Sequence, residues 1–86
     1  MTKINVAVNP FTMVAKISAR IDGREERTEV IFSPYEFGLT WYPFILGNKE
    51  YEIMLSYDEE LMVEIAEVDE LGNESSVAVK FEIVKK

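Results

Sequence analysis

The chain has neither cysteine nor histidine among its 86 residues. Disulfide frameworks, thiol chemistry, His-based triads and most metal-ligand sets are thereby excluded. The five serines Ser18, Ser33, Ser56, Ser75 and Ser76 have no imidazole to activate them. Two carboxylates can hydrolyse a glycoside, but only across a substrate cleft, and so short a chain has little material to wall one. The expectation is that the protein is not an enzyme and carries no cofactor. Glycine is sparse, and Gly23, Gly38, Gly47 and Gly72 stand far apart as turn residues, so no phosphate-cradling loop is present. No apolar run approaches the roughly 20 residues that span a bilayer. Nor does Met1-Thr2-Lys3-Ile4-Asn5 lead into the apolar stretch of a secretory signal. Residues 1–86 are expected to be cytoplasmic if they are the whole gene product, and at a cell surface or on a virion if they are cut from a larger one.

What is present is apolar and branched. Hydrophobic residues make up 48% of the chain, enough for one core, and its length suits a single domain over residues 1–86. Val, Ile, Thr and the aromatics dominate over Ala and Leu, and such side chains pack well on a pleated surface but lose rotamers in a helix. Apolar residues alternate rather than recur with helical period. Ile4, Val6 and Val8 form a first strand, ended by Asn9-Pro10. Met13, Ala15, Ile17, Ala19 and Ile21 then share one face of a second. Asp22-Gly23 follows, a pair suited to the positive φ of a two-residue hairpin turn. Placing Ile21 opposite Arg24 sets Arg20 against Glu25, Lys16 against Glu29, Ala15 against Val30 and Met13 against Phe32. Turn chemistry, charge and burial therefore agree on one register.

Tyr51, Ile53, Leu55 and Tyr57 mark another strand, and Asp58-Glu59-Glu60 its turn. Leu61, Val63 and Ile65 share the face of the next. Val77, Val79, Phe81 and Ile83 are expected to pair with that strand, Glu64 lying opposite Lys80 and Val63 opposite Phe81. A further strand is expected within residues 39–46. The fold class is therefore all-β, a small antiparallel sandwich of six to seven strands.

The stretch Val63 to Ser75 reads V-E-I-A-E-V-D-E-L-G-N-E-S. It resembles the penultimate strand and final turn of bacterial immunoglobulin-like and fibronectin type III-like domains, where D-x-x-G-N-x-S recurs. The resemblance covers mainly residues 50–84. It implies an immunoglobulin-like sandwich in which Asp69, Gly72 and Asn73 shape a turn. By the same likeness Asp22-Gly23 closes an earlier hairpin. A fold of this kind hosts many unrelated functions and carries no chemistry of its own.

Two features are candidate binding sites. Residues 33–48 hold a single charge, Glu36, together with five aromatics: Tyr35, Phe37, Trp41, Tyr42 and Phe44. These rings either close the core or stand out to stack on a glycan or anchor a protein. Residues 50–74 hold ten carboxylates and neither Lys nor Arg, so this block outweighs the whole net charge of −7. Asp58, Glu59, Glu60, Glu70 and Glu74 are its turn-borne members. Such a field steers basic partners and repels nucleic acid. Calcium is not expected, because the D-x-D-x-D-G spacing is missing. The expectation is a non-catalytic protein-interaction or structural module. The alternatives are a small acidic inhibitor or adaptor for a basic, even nucleic-acid-binding, protein, and a carbohydrate-binding domain using exposed aromatics such as Trp41 and Tyr42. The expected partner is a protein, not a nucleic acid or a membrane.

Overall fold

The computed structural model describes residues 3–36 and 38–84. The protein is all-β, a small sandwich of two four-stranded sheets. The strands are β1 Ile4–Asn9, β2 Val14–Ile21, β3 Arg24–Ile31, β4 Tyr42–Leu46, β5 Lys49–Asp58, β6 Glu60–Val68, β7 Glu74–Ser76 and β8 Val79–Ile83. The first sheet runs β3-β2-β1-β8 and the second β4-β5-β6-β7. Period-two alternation sends Ile4, Val6, Val8, Ala15, Ile17 and Ala19 of the first sheet inward, against Phe44, Leu46, Tyr51, Ile53, Leu55 and Ile65 of the second. No polar or charged residue is buried among the described residues.

The β2–β3 hairpin has the register that charge and turn chemistry demand, from Ile21 opposite Arg24 to Ala15 opposite Val30. Asp22 and Gly23 both take positive φ, 51° and 78°. Lys16 faces Glu29 and Arg20 faces Glu25, yet it is the Arg27 guanidinium, from the same strand, that holds the Glu25 carboxylate, Nε to Oε2 at 2.6 Å. The further strand expected within residues 39–46 is β4. It joins β5 through Gly47-Asn48, a second two-residue turn with positive φ at both positions, 58° and 67°.

The C-terminal third departs from expectation. Residues 77–83 do not form a hairpin with β6, and Glu64 does not face Lys80, nor Val63 Phe81. Strand β6 pairs with β7 only from Ala66–Ser76 to Val68–Glu74. After the last bond, Val77 N–H to the Ile65 carbonyl at 3.0 Å, the chain crosses to the other sheet. There β8 lies parallel to β1, with Val79 beside Ile4 and Phe81 beside Val6. Two causes act together. The Asp69 turn sets the β6–β7 register two residues tighter than expected. The apolar face of β8 then completes apolar rows of the first sheet, such as Phe81-Val6-Ile17, instead of lengthening the second. Among the described residues the strand count rises to eight, and one pairing is parallel rather than antiparallel.

That turn is built by one side chain. Asp69 Oδ1 accepts the N–H groups of Leu71 at 2.9 Å and Asn73 at 2.8 Å, and Oδ2 accepts the Asn73 amide at 3.3 Å. Gly72 supplies φ of 85°. The Asn73 N–H first, then the Asn73 side chain and the Leu71 and Gly72 N–H groups, hold the Asp69 carboxyl below its ordinary value, outweighing the opposing pull of desolvation. A carboxylate depressed in the folded state stabilises above its unfolded pKa and loses that contribution as pH falls through the folded one. Acidification should therefore move the Leu71 and Asn73 amide resonances together, with a midpoint below the usual aspartate value of about 3.9. Asp69→Asn should abolish that titration. A midpoint at or above the usual value would mean that the carboxylate does not hold the turn.

Candidate functional site

The four described aromatics of the 33–48 segment, Tyr35, Trp41, Tyr42 and Phe44, do not form one patch. Phe44 is buried and stacks on Tyr51 across the β4–β5 ladder, ring centroids 5.3 Å apart. Tyr42 packs edge-on against Phe32 at 4.6 Å. Its hydroxyl accepts the Ser33 N–H at 2.9 Å and donates to Glu36 Oε1 at 2.7 Å. The Ser33 bond draws the phenol pKa down, but burial and the Glu36 carboxylate outweigh it and hold the value up. Tyr42 is thus committed to the fold. Tyr35 stands 90% exposed on a single 3-10 turn, Pro34–Glu36. Phe37 lies outside the described residues. Trp41 is half-buried.

Glu36, the single charge of the segment, organises it. Besides Tyr42, it accepts the Thr40 hydroxyl at 3.3 Å and, through its backbone carbonyl, the Leu39 N–H at 3.1 Å. Gly38 N–H ties the segment to the Leu55 carbonyl at 2.7 Å. A lone carboxylate in an otherwise uncharged run was the sequence signal for this role.

The acidic block is also divided. Asp58, Glu59 and Glu60 sit at the β5–β6 tip, where Glu59 takes φ of 67°. Glu70 sits at the other end of β6, in the Asp69 turn, and Glu74 opens β7. Nine residues of extended strand separate the two ends, on the order of 30 Å. The turn carboxylates do not meet in one cluster.

What gathers negative charge is the outer face of the second sheet. Cross-strand pairing places Ile45, Glu50, Val68 and Glu74 in one row, and Pro43, Glu52, Ala66 and Ser76 in the next. Met54 faces Glu64, and Ser56 faces Met62, further along. Among the described residues every charged side chain on this face is a carboxylate. The face is also apolar, with Ile45 65% and Met62 47% exposed. Glu52 takes up its proton above the ordinary glutamate value. A hydrogen bond with Glu74 is the largest cause, followed by desolvation and the Glu74 charge. Two grooves border this face. One runs between Pro43, Ile45, Glu52, Val68 and Glu74. The other, of about 330 Å³, is lined by Trp41, Glu64, Ala66, Ser76 and Val77. The outer face of the first sheet differs, because Lys16, Arg27 and Lys80 there stand among Glu25, Glu29 and Glu82.

The outer-face residues Pro43, Ile45, Met54, Met62 and Val68 were not singled out by sequence. The signal available was the second face of the β5 alternation, Glu50-Glu52-Met54-Ser56. Among the described residues no group of His, Cys, Asp or Glu is placed to hold a metal ion, and no helix is long and apolar enough to cross a membrane. No family model, curated protein or solved structure matches the chain.

Proposed function

We propose that the protein is a non-catalytic protein-interaction module whose contact surface is the outer face of the β4–β5–β6–β7 sheet, and that its partner presents a basic surface. The observation that carries this is the composition of that face. It combines exposed Ile45 and Met62 with carboxylates that no Lys or Arg pairs among the described residues. A surface that interleaves exposed apolar side chains with charge of one sign has the make-up to bind and steer a complementary partner. The acidic adaptor reading and the module reading thus meet on one surface. The resemblance of residues 50–84 to immunoglobulin-like building blocks agrees with a role in contact rather than chemistry.

The test replaces Glu50, Glu52, Glu64 and Glu74 together by Gln. These side chains point outward, so the melting curve should hold. Association with the partner captured from the source cell should slow by about tenfold or more at low salt, and the difference should shrink as the Debye length falls below about 10 Å. An unchanged on-rate at low salt would refute the acidic contact face.

A further inference from the structure

Strand β6 is nine residues long but β7 covers only its last three. The Val77 N–H to Ile65 carbonyl bond shows that Ile65 directs its carbonyl toward the β7 side. On the far side of β5, Leu55 gives its carbonyl to Gly38 and so points away from β6, which makes its partner Val63 point away from β5. Backbone direction alternates along an antiparallel ladder, so Leu61 and Val63 both aim their N–H and C=O groups at the side that β7 has left. Among the described residues no backbone group bonds to these. The crossing of the chain from Ser76 to Val79 thus leaves an edge of the second sheet unpaired at Leu61 and Val63, and the groove bordered by Trp41, Val63, Glu64, Val77 and Val79 lies at the fork, where β8 comes close to β6.

We propose that this edge accepts an extended, basic segment of a partner protein, added antiparallel to β6 along the line that β7 abandons. The proposal rests on the reading of this sheet as the contact surface and names what it binds. Backbone bonds to Leu61 and Val63 would supply affinity, and the outward side chains of β6 would supply selectivity. Those are Glu60, Met62 and Glu64, in that order. A segment with Lys or Arg opposite Glu64 and Glu60, four residues apart, and an apolar residue between them, complements all three. The side chain opposite Glu64 also lies beside the groove that Trp41 and Val77 line. Two copies of this chain do not meet this requirement through β7, which reads Glu74-Ser75-Ser76.

The probe is the capped peptide Thr-Lys-Val-Leu-Val-Lys-Thr, compared with the same peptide N-methylated on both valines and with one carrying Glu for both Lys. The full chain is followed by amide resonance shifts and hydrogen exchange. The unmodified peptide should shift and protect the Leu61 and Val63 amides. Backbone methylation should weaken binding by about tenfold or more, since at least two hydrogen bonds of roughly 1 kcal/mol each are lost. The Glu peptide should fail, and Glu64→Gln, which leaves the core untouched, should weaken the Lys peptide alone. Equal binding of the methylated peptide, or shifts confined to Val68 and Glu74, would overturn strand addition while leaving the contact face standing. No shift at millimolar peptide would overturn strand addition as well, and the on-rate of the quadruple Gln variant would then decide the contact face separately.

Discussion

Ile53→Ala should lower the free energy of unfolding by about 2–5 kcal/mol. Ile53 is fully buried at the centre of the second sheet, flanked in register by Tyr42 and Ile65, whose side chains point the same way. Truncation removes the transfer energy of its outer carbons and leaves a cavity that backbone paired on both sides cannot collapse to fill. A chain of this length has a total stability on the order of 4–13 kcal/mol, so one such change consumes a large part of it. In urea the midpoint should fall with the slope unchanged, because the surface exposed on unfolding is nearly the same. Ile45→Ala is the control, since Ile45 is 65% exposed on the outer face and its truncation should stay within about 0.5 kcal/mol. Equal midpoint shifts for the two variants would place the core elsewhere than between the sheets.

The second large effect is expected at Gly47. Its φ of 58° is a left-handed conformation that costs an L side chain on the order of 1–2 kcal/mol. A Cβ there would also stand 2.6 Å from Ile21 Cδ1, against open space at Gly23, where φ is 78°. Both glycines close two-residue hairpin turns, so backbone strain is common to them and crowding is not. Gly47→Ala should therefore cost about 1–3 kcal/mol and more than Gly23→Ala. Ile21→Val deletes Cδ1, so the double variant Ile21→Val with Gly47→Ala should cost less than the sum of the singles. Strict additivity, or equal costs at the two glycines, would show that Ile21 simply turns aside.

The turn residues named from sequence sit where their chemistry predicts, because each acts within a few residues of itself. Asp22 and Gly23 need only positive φ. Asp69 reaches Leu71 and Asn73 with one carboxylate. The same locality explains what was missed at Gly47-Asn48, which closes a hairpin with the glycine first and so lacks the more familiar order. Glu36 was visible only as an isolated charge, since its partner Tyr42 finds it through a fold of the crossover segment. The contact face was harder still. It consists of alternate residues from β4, β5, β6 and β7, and only pairing brings Ile45, Glu50, Val68 and Glu74 into one row.

Sequence by itself determined that the protein is all-β, the inward faces of β1, β2 and β6 and most of that of β5, and the register of the β2–β3 hairpin. Those properties follow from a period of two and from turns spanning two residues, both local quantities. Where the apolar face of Val79, Phe81 and Ile83 would pack was settled only in three dimensions. Alternation says that their face must be covered but is silent about which sheet covers it, and β1 offers Ile4, Val6 and Val8 as neighbours just as β6 offers Leu61, Val63 and Ile65. The Asp69 turn stops β7 after three residues, and the parallel edge of β1 stands open to receive β8. Leaving β6 half uncovered on one side is the physical consequence of that choice.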